Sequence, residues 1–159
     1  MAIIDFKSLF GKKAQEPEQE PMHPAIADIS RLFSEADIKY SIDHSMKQWD
    51  LIAGISGQHN SYQLKFIVKD DSDNDLAIRI FSLVRCPDDK RKAMCKFLNE
   101  LNAKYRYVKF AIDDSNSVSL EADLPSCTTN PGEVAVEYFI RVLKIVDDIY
   151  PDLMRALWS

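Results

Sequence analysis

Hydrophobic positions follow two different periods along this chain. Ile26, Ile29, Leu32, Phe33 and Ala36 recur every three to four residues behind Pro24, which suits a first helical position, so the spacing predicts a short amphipathic helix. After a brief extended stretch, KYSID, the period drops to two. Trp49, Leu51, Ala53 and Ile55 share one face of a strand ending at Gly57. Tyr62, Leu64, Phe66 and Val68 share one face of the next, and Leu76, Ile78, Ile80 and Val84 one face of a third. Alternation over such runs predicts half-buried antiparallel strands. The segments between them, SGQHN and KDDSDND, carry the Gly, Asn and Asp that tolerate turn geometry.

Pro87 opens a second helix, with Asp88 and Asp89 at its positive end and Met94, Phe97, Leu98, Leu101 and Tyr105 along its inner stripe. Two strands follow. Val108, Phe110 and Ile112 face inward, DDSN turns the chain, and Val118, Leu120, Ala122 and Leu124 face inward again. Asn130-Pro131-Gly132-Glu133 has the form of a capped helix start. That helix is expected to reach Ile149, where Tyr150-Pro151 interrupts it before a closing helical segment, DLMRALW. The order α-β-β-β-α-β-β-α predicts an α+β fold, an antiparallel sheet of about five strands with helices on one face.

The first residues stand apart. Ile3, Ile4, Phe6, Leu9 and Phe10 recur at roughly helical spacing among Lys7, Lys12 and Lys13, so residues 1–13 read as a short basic amphipathic arm for docking. Residues 14–23, with Pro17, Pro21 and three glutamates, read as a semi-extended linker, and 24–159 as a single α+β domain. One arm with five apolar side chains would hold a membrane surface only weakly.

Composition narrows the function classes. In 159 residues, 46% apolar and 28% charged, there is enough material for a packed core. Twenty basic residues against twenty-five acidic ones give a net charge of −5, and no basic stripe offers the phosphate neutralisation that nucleic-acid binding needs. Neither a membrane-spanning run nor a signal-peptide pattern is present, so a cytoplasmic protein is expected. Cys86, Cys95 and Cys127 are odd in number, without close pairing or metal spacing, and read as reduced thiols. Asp71, Asp73 and Asp75 take the first, third and fifth places of a calcium loop. Leu76 replaces the required Gly and Ser82 the required Glu, so the segment reads as a solvated turn. Four glycines provide no phosphate-cradling loop. The pairs Asp88-Asp89, Asp113-Asp114 and Asp147-Asp148 fall at a helix start, a turn and a helix end, where solvated faces explain them better than acid–base catalysis. No catalytic residue, cofactor or metal is assigned, and a non-enzymatic protein is expected.

The sheet's other face is more informative. The last strand alternates cleanly, with Ser117, Ser119, Glu121 and Asp123 pointing away from the core. The middle strands instead place Ile52, Ile67, Phe81 and Leu83 at outward positions, with Tyr107 joining them. A contiguous apolar patch marks an interaction surface, to be covered by a protein partner, by a second copy in a homodimer, or by the chain's own arm. The last helix is also apolar beyond one stripe, as expected of deep burial or an interface.

The stretch CPDDKRKAMCKFLNELNAKYRYVKFAIDDSNSVSLEADLP resembles the signature of the YbjN-domain family: a Pro-started helix with leucine-asparagine motifs (Leu98-Asn99, Leu101-Asn102), a strand pair with an acidic turn, and a last helix ending near Tyr150-Pro151. The resemblance implies a bacterial protein whose fold is similar to that of type III secretion chaperones, with a chaperone-like or regulatory adaptor role in sensory transduction. It carries over no catalytic residue. A small enzyme with a spatially assembled site and a membrane-peripheral regulator using the arm are the competing classes.

Overall fold

The computed structural model describes residues 21–69, 75–125 and 127–158. The predicted arm, most of the predicted linker and the acidic loop from Asp70 to Asn74 lie outside them. The chain forms α1 (Pro24–Glu35), β1 (Tyr40–Ser45), β2 (Gln48–Ser56), β3 (Ser61–Lys69), β4 (Leu76–Arg85), α2 (Arg91–Lys104), β5 (Lys109–Ile112), β6 (Ser117–Leu124) and α3 (Pro131–Trp158). A 3-10 turn, Asp88–Lys90, leads into α2. All neighbours in the sheet are antiparallel, in the order β1-β2-β3-β4-β6-β5.

The α+β expectation holds, with six strands rather than five. The additional strand is β1, which grows from the KYSID stretch and pairs with β2 through a two-residue turn, Met46-Lys47. Both turn residues have positive φ, 51° and 59°. Such a turn matches the strand twist but usually takes Asn and Gly, so no turn signal was there to read. The ring of His44 stacks on Trp49 at 3.9 Å across the resulting pair.

The inward stripes of the strands meet the helices in one apolar core. Phe33 of α1 is completely buried at its centre, edge-on to Tyr40, Phe66 and Phe139 with ring centroids 6.1, 5.4 and 5.8 Å away. The helix α2 buries Met94, Leu98 and Leu101. At its end, Lys104 and Tyr105 both reach Asp148 of α3, the lysine at 2.9 Å.

Helix α3 corrects the expectation of a break at Pro151. It runs unbroken from Pro131 to Trp158 with Pro151 inside it. Proline removes one N–H from the ladder, but Leu153 and Leu157 continue the buried stripe of Val142, Val146 and Ile149 into the last turns. The β2–β3 turn also holds the helix there: the Gln58 amide donates to Asp147 at 2.9 Å, and His59 stacks on Tyr150 at 5.2 Å. The wide apolar surface of α3 is covered largely by its own neighbours, α1 and α2, which leaves Ile140 and the terminal Trp158 exposed.

The start of α3 is tied to α1. The Gly132 amide donates to Asp28 at 2.8 Å, and a Cβ at Gly132 would meet the carboxylate and carbonyl oxygens of Asp28 at 2.7 and 2.8 Å. Asp28 thus caps a helix other than its own. Its carboxyl is held below the ordinary carboxylate range by the hydrogen bond from Arg31 and then by the Gly132 amide. A lowered folded pKa contributes stability above the unfolded value of about 3.9 and loses it as pH falls through the folded pKa. Asp28→Ala is therefore expected to lower stability by about 1 kcal/mol at neutral pH. The gap between variant and parent in urea titrations should begin to narrow below about pH 4 and close only below the lowered folded pKa; a gap that persists in strong acid would mean packing, not charge, carries the effect.

Candidate functional site

The outer face of the sheet, opposite the helices, is the candidate site. Alternation places Asp50 and Ile52 of β2, Lys65 and Ile67 of β3, Ala77, Arg79 and Phe81 of β4, and Glu121 and Asp123 of β6 on it. The register aligns them in two rows. Asp50, Ile67, Ala77 and Asp123 form one; Ile52, Lys65, Arg79 and Glu121 form the other, continued by Lys109 on β5.

Charges of opposite sign meet across and between these rows. Asp50 is the buried charged residue of the face; it accepts from Lys65 at 3.2 Å and from Gln48 at 2.9 Å. Arg79 pairs with Asp123 and donates to the carbonyls of Ile78 and Ala122, so its guanidinium is pinned flat along β4 and β6. Lys109 pairs with Glu121 at 3.0 Å. Burial pushes the Glu121 carboxyl upward, but the hydrogen bonds from Ser119 and Lys109 outweigh it and hold the group below the ordinary range. Fixed, paired side chains of this kind present geometry more than net charge.

Between these pairs lies a hollow of about 460 Å³, lined by Asp50, Lys65, Ile67, Arg79, Phe81 and Asp123 among others. Ile67 is half-buried at its floor, whereas Phe81 is 56% exposed at its edge. The sequence-predicted surface is thus assembled in part. Ile52 and Ile67 are diagonal neighbours across β2 and β3, and Phe81 lines the same hollow as Ile67 from beyond the Lys65–Arg79 row.

Leu83 and Tyr107 do not belong to it. The ladder of β4 and β6 slips between Ile80 and Val84, so that Phe81, Ser82 and Leu83 stand against Ser119 alone. Ser82 adopts a φ of 58°, which reverses the alternation, turning its hydroxyl to Ser117 at 2.9 Å and Leu83 into the core at 4% exposure. Tyr107 lies in the loop between α2 and β5 on the helix side. Its carbonyl accepts from Tyr138 at 3.2 Å, and Arg141 covers its ring at 4.8 Å.

Sequence reasoning did not single out Asp50, Lys65 or Arg79. Their signal is opposite charge at outward strand positions, legible only once the register is known.

A larger hollow, about 670 Å³, separates the starts of α1 and α3. Its polar groups are matched to one another: Arg31 to Asp28 at 2.7 Å and Glu35 at 2.8 Å, and Asn130 to Glu133 at 3.3 Å. This is the junction that seats one helix on the other. The cysteines are free, with Cys86 buried and its thiol pushed upward by that burial. Among the described residues no group of three or more His, Cys, Asp or Glu is placed to hold a metal ion, and no helix is long and apolar enough to cross a membrane.

The family model described as "YbjN: Putative bacterial sensory transduction regulator" matches residues 25–154, from the second residue of α1 nearly to the end of α3. The chain belongs to the YbjN family. Comparison with curated proteins finds no match. Within this YbjN chain, one of the two leucine-asparagine motifs has a plain structural purpose. Leu101 is buried, and the Asn102 amide accepts from the Phe110 N–H at 2.7 Å and donates to the Phe110 carbonyl at 3.1 Å. The side chain thus stands in for a missing strand at the β5 edge, which blunts that edge against further pairing. In this YbjN protein the Tyr-Pro pair lies inside α3, where Tyr150 stacks on His59.

Proposed function

We propose that the protein is a non-enzymatic regulatory adaptor of the bacterial cytoplasm that holds a segment of a protein partner against the outer face of its sheet. The observation that carries this reading is Phe81: a large apolar side chain left mostly in water beside a hollow floored by Ile67. Around it the polar groups are already locked in ion pairs, so they set shape and register at modest desolvation cost. The family's description as a sensory transduction regulator supports a role in signalling rather than turnover.

Recognition works by burial. Seating a partner's apolar side chain between Ile67 and Phe81 removes the phenylalanine from water, and the donors of Lys65 and Arg79 left over from their ion pairs orient the partner's carbonyls or carboxylates. Completing the burial of a half-exposed phenylalanine contributes about 1–2 kcal/mol. An aspartate at position 81 loses this term and adds a charge to be desolvated, so Phe81→Asp should weaken binding about tenfold or more. The experiment is affinity capture from native lysate with the parent protein and with Phe81→Asp, whose fold is checked by circular dichroism. A specific partner held by the parent and lost from the folded variant supports the reading; the same partner recovered in equal yield from both defeats it.

A further inference from the structure

We infer that the chain's own first ten residues occupy the hollow beside Ile67 and Phe81, covering the outer face in cis until a partner displaces them. This rests on the reading of that face as a binding surface, and it gives the partner's segment a chemistry: apolar side chains interspersed with lysines, like the arm it replaces.

Three observations converge on this occupant. The first is where the chain begins its described course. His23 and Pro24 line one hollow with Leu76 at the start of β4 and Pro125 just past the end of β6. The hollow opens on the opposite side of the same sheet end, among Asp75, Ala77 and Asp123. The twenty residues that precede Pro21 therefore depart from one rim of the sheet whose other side is the hollow.

The second is reach. Residues 14–20 include Pro17 and five Glu or Gln side chains. At about 3.1 Å per residue, a strip of seven can reach about 22 Å when extended. Crossing from one layer to the next takes about 10 Å, and the run along β4 from Leu76 to Phe81 about 17 Å. The linker with Gly11, Lys12 and Lys13 covers this path and delivers the apolar residues to the hollow.

The third is complementarity. Ile3, Ile4, Phe6, Leu9 and Phe10 are a run of large apolar side chains. Phe81 offers exposed apolar surface and Ile67 half-buried apolar surface at one hollow. The lining carries both signs of charge, Asp50, Asp75 and Asp123 with Lys65, Lys69 and Arg79, so the match to the arm is apolar and Lys7, Lys12 and Lys13 stay at the wet rim. Other exposed apolar groups stand away from this face: Met46 on the hairpin turn, Tyr107 on the helix side under Arg141, and Ile140 and Trp158 on α3.

The test uses the full chain with a nitroxide label at Ser8→Cys, in a background of Cys95→Ser and Cys127→Ser that leaves the buried Cys86 in place. The expected result is loss of amide signal at Lys65, Ile67, Arg79 and Phe81, restored when Phe81→Asp is added. Signal loss centred on the start of α1, or spread without preference, overturns the inference. So does loss in an isotope-labelled, spin-free chain mixed with a labelled one at natural isotope abundance, because the occupant is then a second copy. If the arm's contact is absent while partner capture still depends on Phe81, the inference falls and the adaptor reading stands. If the contact is present while no capture depends on Phe81, the inference stands and the adaptor reading falls.

Discussion

Leu83→Asp is expected to unfold the protein, whereas Phe81→Asp, two residues earlier on the same strand, should leave its stability nearly unchanged. In an unbroken strand positions two apart point to the same face, and the two substitutions would be equivalent. Here the bulge between Ile80 and Val84 separates them: Leu83 is 4% exposed and Phe81 56%. An aspartate at position 83 forfeits the burial of a leucine, which alone is about 2–5 kcal/mol when truncated to alanine. It also sets a carboxylate among apolar neighbours, at several kcal/mol more. Against a total stability of about 5–15 kcal/mol for a domain, that sum is disabling.

At position 81 the new carboxylate stays in water, so the cost should stay within about 0.5 kcal/mol. Urea titration followed by circular dichroism reads both. Equal tolerance of the two variants would mean that β4 is regular and that Leu83 belongs to the outer face after all. The same pair of variants separates folding from recognition, since only Phe81→Asp should lose a partner while remaining folded.

The contrast at Phe81 and Leu83 also marks where the sequence stops being legible. Inward stripes such as Leu64, Phe66 and Val68, or Val118, Leu120 and Ala122, can be read from period alone, because one buried face forces alternation. Conformations carried by unusual residues cannot. Ser82 at φ 58° and the Met46-Lys47 turn both take the left-handed region with side chains that carry no signal for it, which hid the bulge and β1. Pro151 misled in the other direction: its local preference for a break is overridden by the burial of Leu153 and Leu157 beyond it. The candidate site suffers most from this, since Asp50, Lys65, Arg79 and Asp123 become one polar frame only through strand register, and Arg79 and Asp123 only through pairing of strands distant in sequence. Tyr107 was misplaced for the same reason: its loop, not a strand, decides which side of the sheet it joins.

Phe33→Ala is expected to give the largest loss among single truncations in the helix layer, about 3–5 kcal/mol. The ring is fully buried and is the joint at which α1 meets both the sheet, through Tyr40 and Phe66, and α3, through Phe139. Removing it leaves a void bordered by three rings held by β1, β3 and α3, elements that cannot all close inward at once, so relaxation should recover little. Each edge-to-face pair adds about 0.5–1.5 kcal/mol beyond area burial, which places the expected value toward the upper end of that range. With a urea dependence of about 1–3 kcal/mol per molar, the midpoint should fall by roughly 1–5 M. Phe33→Leu, which keeps most of the volume but no ring quadrupole, should recover more than half of the loss. A fall of less than about 0.5 M for Phe33→Ala, on the same slope, would show that α1 closes over the gap and that the aromatic joint is not what fastens it to the sheet.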